Sequence, residues 1–234
     1  LKKSLKLSDP IKVLATKSGA VAVEDRVSVE NLEPELCPRY CALVIENVKV
    51  GPSPKWLKDR LIAIGLRPIN NIVDITNFVM MEYGQPLHAF DRDLLTGNKI
   101  VIRRAKQGEP FASLDGTEMK LEPDALVIAD GDRPVALAGI MGGNNSQVSE
   151  ATSHVVLESA CFDPATVRKG SKKYGLRSDS SYRFERGVDW NGVVSAQARA
   201  ALLIKELAGG KICSGRIDIY PEEGKSIVIP LRVS

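Results

Sequence analysis

Apolar residues in this chain fall in short blocks whose period changes several times along its length. Tyr40-Cys41-Ala42-Leu43-Val44-Ile45 is apolar almost throughout and reads as a mostly buried strand. Trp56, Leu57, Leu61 and Ile64 then recur at helical spacing behind Ser53-Pro54, which predicts a helix with a cap and an early proline, closed by Gly65. A second helix is expected over about Ile72 to Glu82, with Ile72, Ile75 and Val79 on adjacent turns; Gly84 ends it and Gly84-Gln85-Pro86 forces a loop. From Lys99 to Ala138 the runs shorten to strand length, beginning with Ile100-Val101-Ile102-Arg103, and Asp115-Gly116 and Gly131-Asp132 mark two hairpins. His154 to Glu158 reads as another buried strand, Pro164 to about Lys173 as a helix, and Val193 to Leu207 as a longer alanine-rich helix stopped by Gly209-Gly210.

Strands and helices interleaved without a βαβ rhythm indicate an α+β fold whose middle third is antiparallel sheet. Residues 1–35 mix lysines, glutamates and short alternations such as Ala20-Val21-Ala22-Val23 and read as the end of a preceding domain plus a linker; 36–212 form the main domain, and 213–234 a strand and a linker toward the next. No internal repeat or low-complexity segment appears.

Composition narrows the class. With 44% hydrophobic and 26% charged residues among 234, the chain has no disorder signature, and no apolar run approaches the roughly 18 residues of a membrane span. A net charge of +3 and a pI near 8.6 permit a polyanionic partner without requiring one. Lys2, Lys3, Lys6, Lys12 and Lys17 read as a solvated basic linker. Cys37, Cys41, Cys161 and Cys213 lack the second Cys/His pair of a zinc site and read as packing thiols, so no metal is expected. An aromatic content of 5% is too sparse for a base-stacking surface. Starting at Leu1 with no signal-peptide pattern, the chain reads as an excised piece of a cytosolic protein.

Two stretches break the binary pattern. Arg177 to Asp189 packs charges, small hydroxyls and two aromatics into one run without an amphipathic period, and Asn70 to Asp91 sets polar groups inside an apolar frame. Glu158 interrupts the apolar run Val155-Val156-Leu157, and a carboxylate there needs water or a partner: the open face of an edge strand, an arginine near 183–186, or a ligand. Gly139, in Ala138-Gly139-Ile140-Met141-Gly142-Gly143, suits a turn, a bulge or close backbone approach; no Gly-Lys-Ser/Thr follows to make it a phosphate loop. His88 is one of two histidines; the other, His154, reads as a surface residue. Arg183, Glu185 and Arg186 read as an ion network holding a strand, in preference to phosphate contacts. No Ser-His-Asp or Cys-His spacing suggests an activated nucleophile.

Taken in order, the 70–91 run, Ala138 to Gly143, Leu157-Glu158-Ser159-Ala160-Cys161-Phe162-Asp163-Pro164 and the 177–189 run resemble the editing domain of the bacterial phenylalanyl-tRNA synthetase beta chain, over about Cys37 to about Tyr220. The resemblance implies a single compact unit of mixed, largely antiparallel sheets flanked by helices, with 36–212 as the editing domain. It implies that Glu158 accepts a hydrogen bond from the phenol of a mischarged tyrosine, and that Gly139 lines the amino-acid pocket, where a side chain would fill the space. His88, Thr76 and Asn77 would stand at the pocket mouth near the ester, orienting a water, as the catalytic set. Ser178 and Ser180 fall where family members commonly carry threonine and alanine; Ser180 adds a hydroxyl near the ring. The implied partners are the acceptor end of tRNA(Phe) carrying tyrosine and a synthetase alpha chain in an α2β2 heterotetramer, with no membrane and no DNA, in the cytoplasm. No cofactor is implied for this fragment, since the ATP and Mg2+ of the parent ligase act elsewhere. The rival readings are a non-catalytic tRNA-docking or structural module of the same synthetase and a stand-alone hydrolase of other esters.

Overall fold

A computed structural model describes residues 9–12, 21–221 and 230; the lysines at 2, 3, 6 and 17 lie outside them. The strands are β1 (Ser28–Asn31), β2 (Arg39–Glu46), β3 (Leu87–Asp91), β4 (Lys99–Arg104), β5 (Glu109–Ala112), β6 (Glu118–Leu121), β7 (Leu126–Ala129), β8 (Pro134–Leu137), β9 (Met141–Gly142), β10 (His154–Cys161), β11 (Lys211–Ile212) and β12 (Ile217–Ile219). The helices that matter below are α1 (Lys55–Ala63), α2 (Asn71–Tyr83), α3 (Pro164–Tyr174), α4 (Asp179–Phe184) and α5 (Gly192–Leu207).

The strands assemble into a sheet of order β1-β4-β7-β8-β9, a sheet of order β11-β2-β10-β3 with β12 also on β2, and the β5-β6 hairpin. Every pairing is antiparallel except β1 with β4. Alternation along β2, β10 and β3 sends their side chains into two separate cores. Leu43, Ile45, Val155, Leu157, Leu87 and Ala89 meet the apolar faces of α1, α2 and α5. Tyr40, Ala42, Val44, Val156, Ala160 and Phe90 meet the first sheet through Ile100, Ile102, Ile128, Val135 and Leu137. The result is a sheet, a second sheet and a helical layer: α+β, largely antiparallel, as the sequence predicts.

Local chemistry explains the helix ends. Asn70 caps α2 by accepting from the backbone N–H of Ile72 and Val73, and Gly84 ends the helix at φ 73°. Ser53 does not cap α1: its hydroxyl is drawn 2.6 Å to Oδ2 of the fully buried Asp74, whose Oδ1 accepts from the Ile69 N–H, and Pro54 occupies the cap position without a side-chain bond. The stretch from 177 to 189 is not a strand. Ser178 and Ser181 form a reciprocal capping box that starts α4, and Arg183 pairs with Asp179 one turn back at 3.0 Å. The packed body also reaches past both sequence-stated limits of 36–212: Val23, Val27 and Cys213 sit in the core between the sheets. His154 is the first residue of β10, with Nδ1 2.9 Å from Asp93 Oδ2.

Candidate functional site

The register between β10 and its neighbours builds the site. Glu158 stands opposite His88 on β3 and opposite Ala42 on β2, on the sheet face turned away from the helices. Since β10 is a central strand, Glu158 has no open edge; it is 7% exposed. Neither an open face nor an arginine satisfies it. Its Oε2 accepts a 2.8 Å hydrogen bond from the hydroxyl of Tyr40, a residue the sequence motifs do not single out. Among the described residues Oε1 accepts nothing. The arginines considered as partners are engaged elsewhere, Arg183 with Asp179 and Arg186 with Glu185.

In front of this face lies a cavity of about 350 Å³, within the usual range for a small-molecule site. Its wall includes all seven residues singled out from the sequence: Thr76, Asn77, His88, Gly139, Glu158, Ser178 and Ser180. The α2 helix brings Thr76 and Asn77, the connection from β8 to β9 brings Gly139 and Ile140, β9 brings Met141, and α4 with its cap brings Ser178, Ser180 and Phe184. Leu114, Ile128, Leu137 and Val148 add apolar surface.

These positions differ in how free their polar atoms are. Thr76 donates to the Val73 carbonyl at 2.7 Å, keeping only acceptor capacity. Ser178 donates to the Ile140 carbonyl at 2.7 Å while accepting from the Ser181 N–H, so its hydroxyl ties α4 to the β8–β9 connection. Among the described residues the Ser180 hydroxyl meets only the sulfur of Met80, at 3.8 Å. Gly139 has φ +69°, and a Cβ there would come within 2.9 Å of Phe162 and 3.1 Å of Phe184. Its lack of a side chain thus serves backbone conformation and ring packing beneath the cavity. Gly142, which the sequence does not single out, makes room in the site: a Cβ there would meet His88 Cε1 at 2.5 Å and Leu114 Cδ1 at 2.9 Å.

His88 packs edge-to-face on Phe90, ring centres 4.4 Å apart, and its Nε2 is buried with no hydrogen-bond partner among the described residues. Burial lowers its pKa to about 4, so the imidazole is neutral near pH 7. Burial has the opposite effect on Glu158, lifting its carboxyl to about 7 against the Tyr40 hydrogen bond, which favours the charged form. The cavity therefore presents a carboxylate poised between charge states, an unpartnered neutral imidazole and an amide from Asn77. Such a set can recognise a hydrogen-bond donor and orient a water. Among the described residues no hydroxyl lining the cavity is paired with a base, Thr76 and Ser178 being bonded to backbone carbonyls and Ser180 to Met80, and no cluster of His, Cys, Asp and Glu could hold a metal ion. The sequence does not single out Tyr40 or Gly142 because both matter through the approach of one strand to another, which a linear pattern does not encode.

Comparison with known proteins places this geometry in context. Residues 36–209 match the family described as B3/4 domain. The chain is 52% identical over 225 residues to the phenylalanine–tRNA ligase beta subunit of Moorella thermoacetica, covering 95% of this chain and 28% of that protein. It is 54% identical over 207 residues to the beta subunit of Geobacter metallireducens, covering 88% and 26%, and 58% identical over 194 residues to that of Halalkalibacterium halodurans, covering 83% and 24%. The chain thus spans about a quarter of the length of these relatives. Among solved structures, an N-terminal fragment of the phenylalanyl-tRNA synthetase beta subunit from Pyrococcus horikoshii superposes with a TM-score of 0.54 at 14% identity, covering 86% of this chain and 55% of that one, a likeness of fold.

Proposed function

The chain belongs to the B3/4 domain family, and from that membership we propose that it is the editing module of a phenylalanine–tRNA ligase beta subunit, hydrolysing tyrosine wrongly esterified to tRNA(Phe). One observation carries the reading: Glu158 is buried, has one oxygen held by Tyr40 and the other unengaged among the described residues, and faces a cavity lined largely with apolar side chains. A synthetic site built to fit phenylalanine rejects an analogue that merely adds a hydroxyl by roughly a hundredfold. A second site that hydrogen-bonds the hydroxyl can disfavour the analogue lacking it by about 10⁴–10⁵, because the buried acceptor is then left unpaired. Glu158 is suited to that role.

Hydrolysis on this reading needs no enzyme nucleophile. With the ring bedded against Leu137, Ile140 and Phe184 and its hydroxyl on Glu158, the ester lies toward Thr76, Asn77 and His88. Neutral His88 and the Asn77 amide orient a water for attack on the ester carbonyl, positioning being the principal contribution. Ser180 shares the hydroxyl end or lies against the ring edge. The acceptor end of tRNA(Phe) and an alpha chain in an α2β2 assembly are the proposed partners. ATP and Mg2+ belong to the synthetic chemistry of the remaining subunits, in the cytoplasm.

The test is calorimetric binding of non-hydrolysable tyrosyl- and phenylalanyl-adenosine amides to this chain. A preference for the tyrosyl amide that Glu158→Gln abolishes supports the pocket. Equal binding of both, or clearance of tyrosyl-tRNA(Phe) unaffected by Glu158→Ala in the assembled ligase, favours a docking module instead.

A further inference from the structure

On the reading above, discrimination depends on Glu158 offering one oxygen to the cavity, and the structure shows what holds the carboxylate in that pose. Tyr40 is completely buried on β2 and does not line the cavity. Its register partner on β10 is Ala160, while the partner of Glu158 on β2 is Ala42. The phenol therefore reaches diagonally past two alanines, a span of about 7–8 Å between backbone positions that a long aromatic side chain can bridge. Its hydroxyl ends 2.8 Å from Glu158 Oε2. The two small residues are what leave the diagonal open.

We propose that Tyr40 is a positioning residue for Glu158: by occupying Oε2 from behind, it fixes the carboxylate rotamer so that Oε1 is the acceptor presented to the cavity, which makes Tyr40 a determinant of discrimination between hydroxylated and unhydroxylated aromatic aminoacyl esters. The titratable groups facing Glu158 are Tyr40 from β2, Cys37 from the segment before it and His88 from β3. Burial holds His88 neutral at neutral pH and pushes the Cys37 thiol up. No cation in this group steadies the carboxylate, so its orientation and its ionised form both lean on a single phenolic donor. Removing the hydroxyl lets Glu158 rotate and leaves burial unopposed, which moves its ionisation to higher pH.

Tyr40→Phe retains the ring and tests the idea in the 234-residue chain. Affinities for the tyrosyl- and phenylalanyl-adenosine amides are measured beside a ¹³C titration of the Glu158 carboxyl. The expected result is a loss of about tenfold or more in preference for the tyrosyl amide, with the phenylalanyl affinity held within about twofold, equivalent to the loss of one buried charge-assisted hydrogen bond. The carboxyl titration moves upward, and Tyr40→Phe combined with Glu158→Gln loses no more than Glu158→Gln alone. A wild-type chain that discriminates and a Tyr40→Phe variant that discriminates equally well overturn the positioning role while leaving the pocket reading intact. A wild-type chain without preference overturns both. Should Tyr40→Phe not fold, ¹⁹F spectra of the chain carrying 3-fluorotyrosine decide the matter: the Tyr40 resonance shifts with the tyrosyl amide and not with the phenylalanyl amide, and equal shifts overturn the proposal.

Discussion

Glu158 and His88 face each other across β10 and β3, and because burial disfavours charge on both, it moves them in opposite directions. The carboxyl rises from 4.5 to about 7 and the imidazole falls from 6.5 to about 4. Folded Glu158 keeps a proton that the unfolded chain releases, so its contribution is present below pH 4.5 and is lost as pH rises through about 7. Folded His88 lacks a proton that the unfolded chain takes up, so its contribution is present above pH 6.5 and is lost as pH falls through about 4. The two slopes oppose each other over most of the same window, each worth about 3 kcal/mol at full extent. Urea denaturation between those limits should therefore show stability rising with pH in Glu158→Gln and falling with pH in His88→Gln, with the native chain flatter than either. Slopes of the same sign in both variants would rule out the pairing. The sequence marks both residues as unusual, Glu158 for breaking an apolar run and His88 for its polar frame, but the pairing itself comes from strand register, which spacing along the chain does not specify.

At the scale of elements, the cavity is held by two short pieces, α4 and the β8–β9 connection, joined by the Ser178 hydroxyl. Ser178→Ala removes both the cap on the Ser181 N–H and the tether to Ile140, and should cost about 1–2 kcal/mol, with Ser178→Thr recovering most of it in thermal melts. A melt unchanged by the alanine would mean that the Ser178 hydroxyl does not hold α4 in place. On β9, Gly142→Ala sets a methyl against the His88 ring, a clash the ring relieves by swinging out of its buried position. The tyrosyl-adenosine amide should then bind about tenfold or more weakly, at a stability cost of about 1–3 kcal/mol. Gly51→Ala, where nothing lies within 4 Å, is the neutral control. These elements also show where sequence reading stops. The helices α2, α3 and α5 are legible because apolar spacing and end signals agree; α4 reads as a strand because its six residues carry no amphipathic stripe and its capping box uses Ser181 in place of Glu or Gln.

For the whole molecule, the limits of the packed body and those of the family match do not coincide. The match covers 36–209, close to the 36–212 read from sequence, yet the core between the sheets takes in Val23 and Val27, with exposures of 0% and 2%. The parallel strand β1 adds to the edge of β4, and Arg26 reaches Glu46 on β2 at 2.6 Å. At the other end Cys213 enters the same core, and β12 pairs with β2, where Asp218 accepts from the Arg39 guanidinium at 3.0 and 2.7 Å. The lysine-rich first segment resembles a linker in sequence because two buried valines, Val23 and Val27, and one short strand leave a weak pattern. Their burial is worth about 1.5–3 kcal/mol per valine, and unpairing the buried guanidinium of Arg39 costs more again, a large share of the 5–15 kcal/mol typical of a domain. A chain of residues 36–212 should therefore melt at least about 10 °C below one of residues 21–221, at roughly 2–4 °C per kcal/mol for a domain of this size. Because β2 carries Tyr40, the shorter chain should also lose protection from hydrogen exchange first along β2 and then at Glu158 on β10. Equal melting temperatures and equal protection would mean that the outer segments lie on the body without stabilising it, and that the family boundary is the folding boundary.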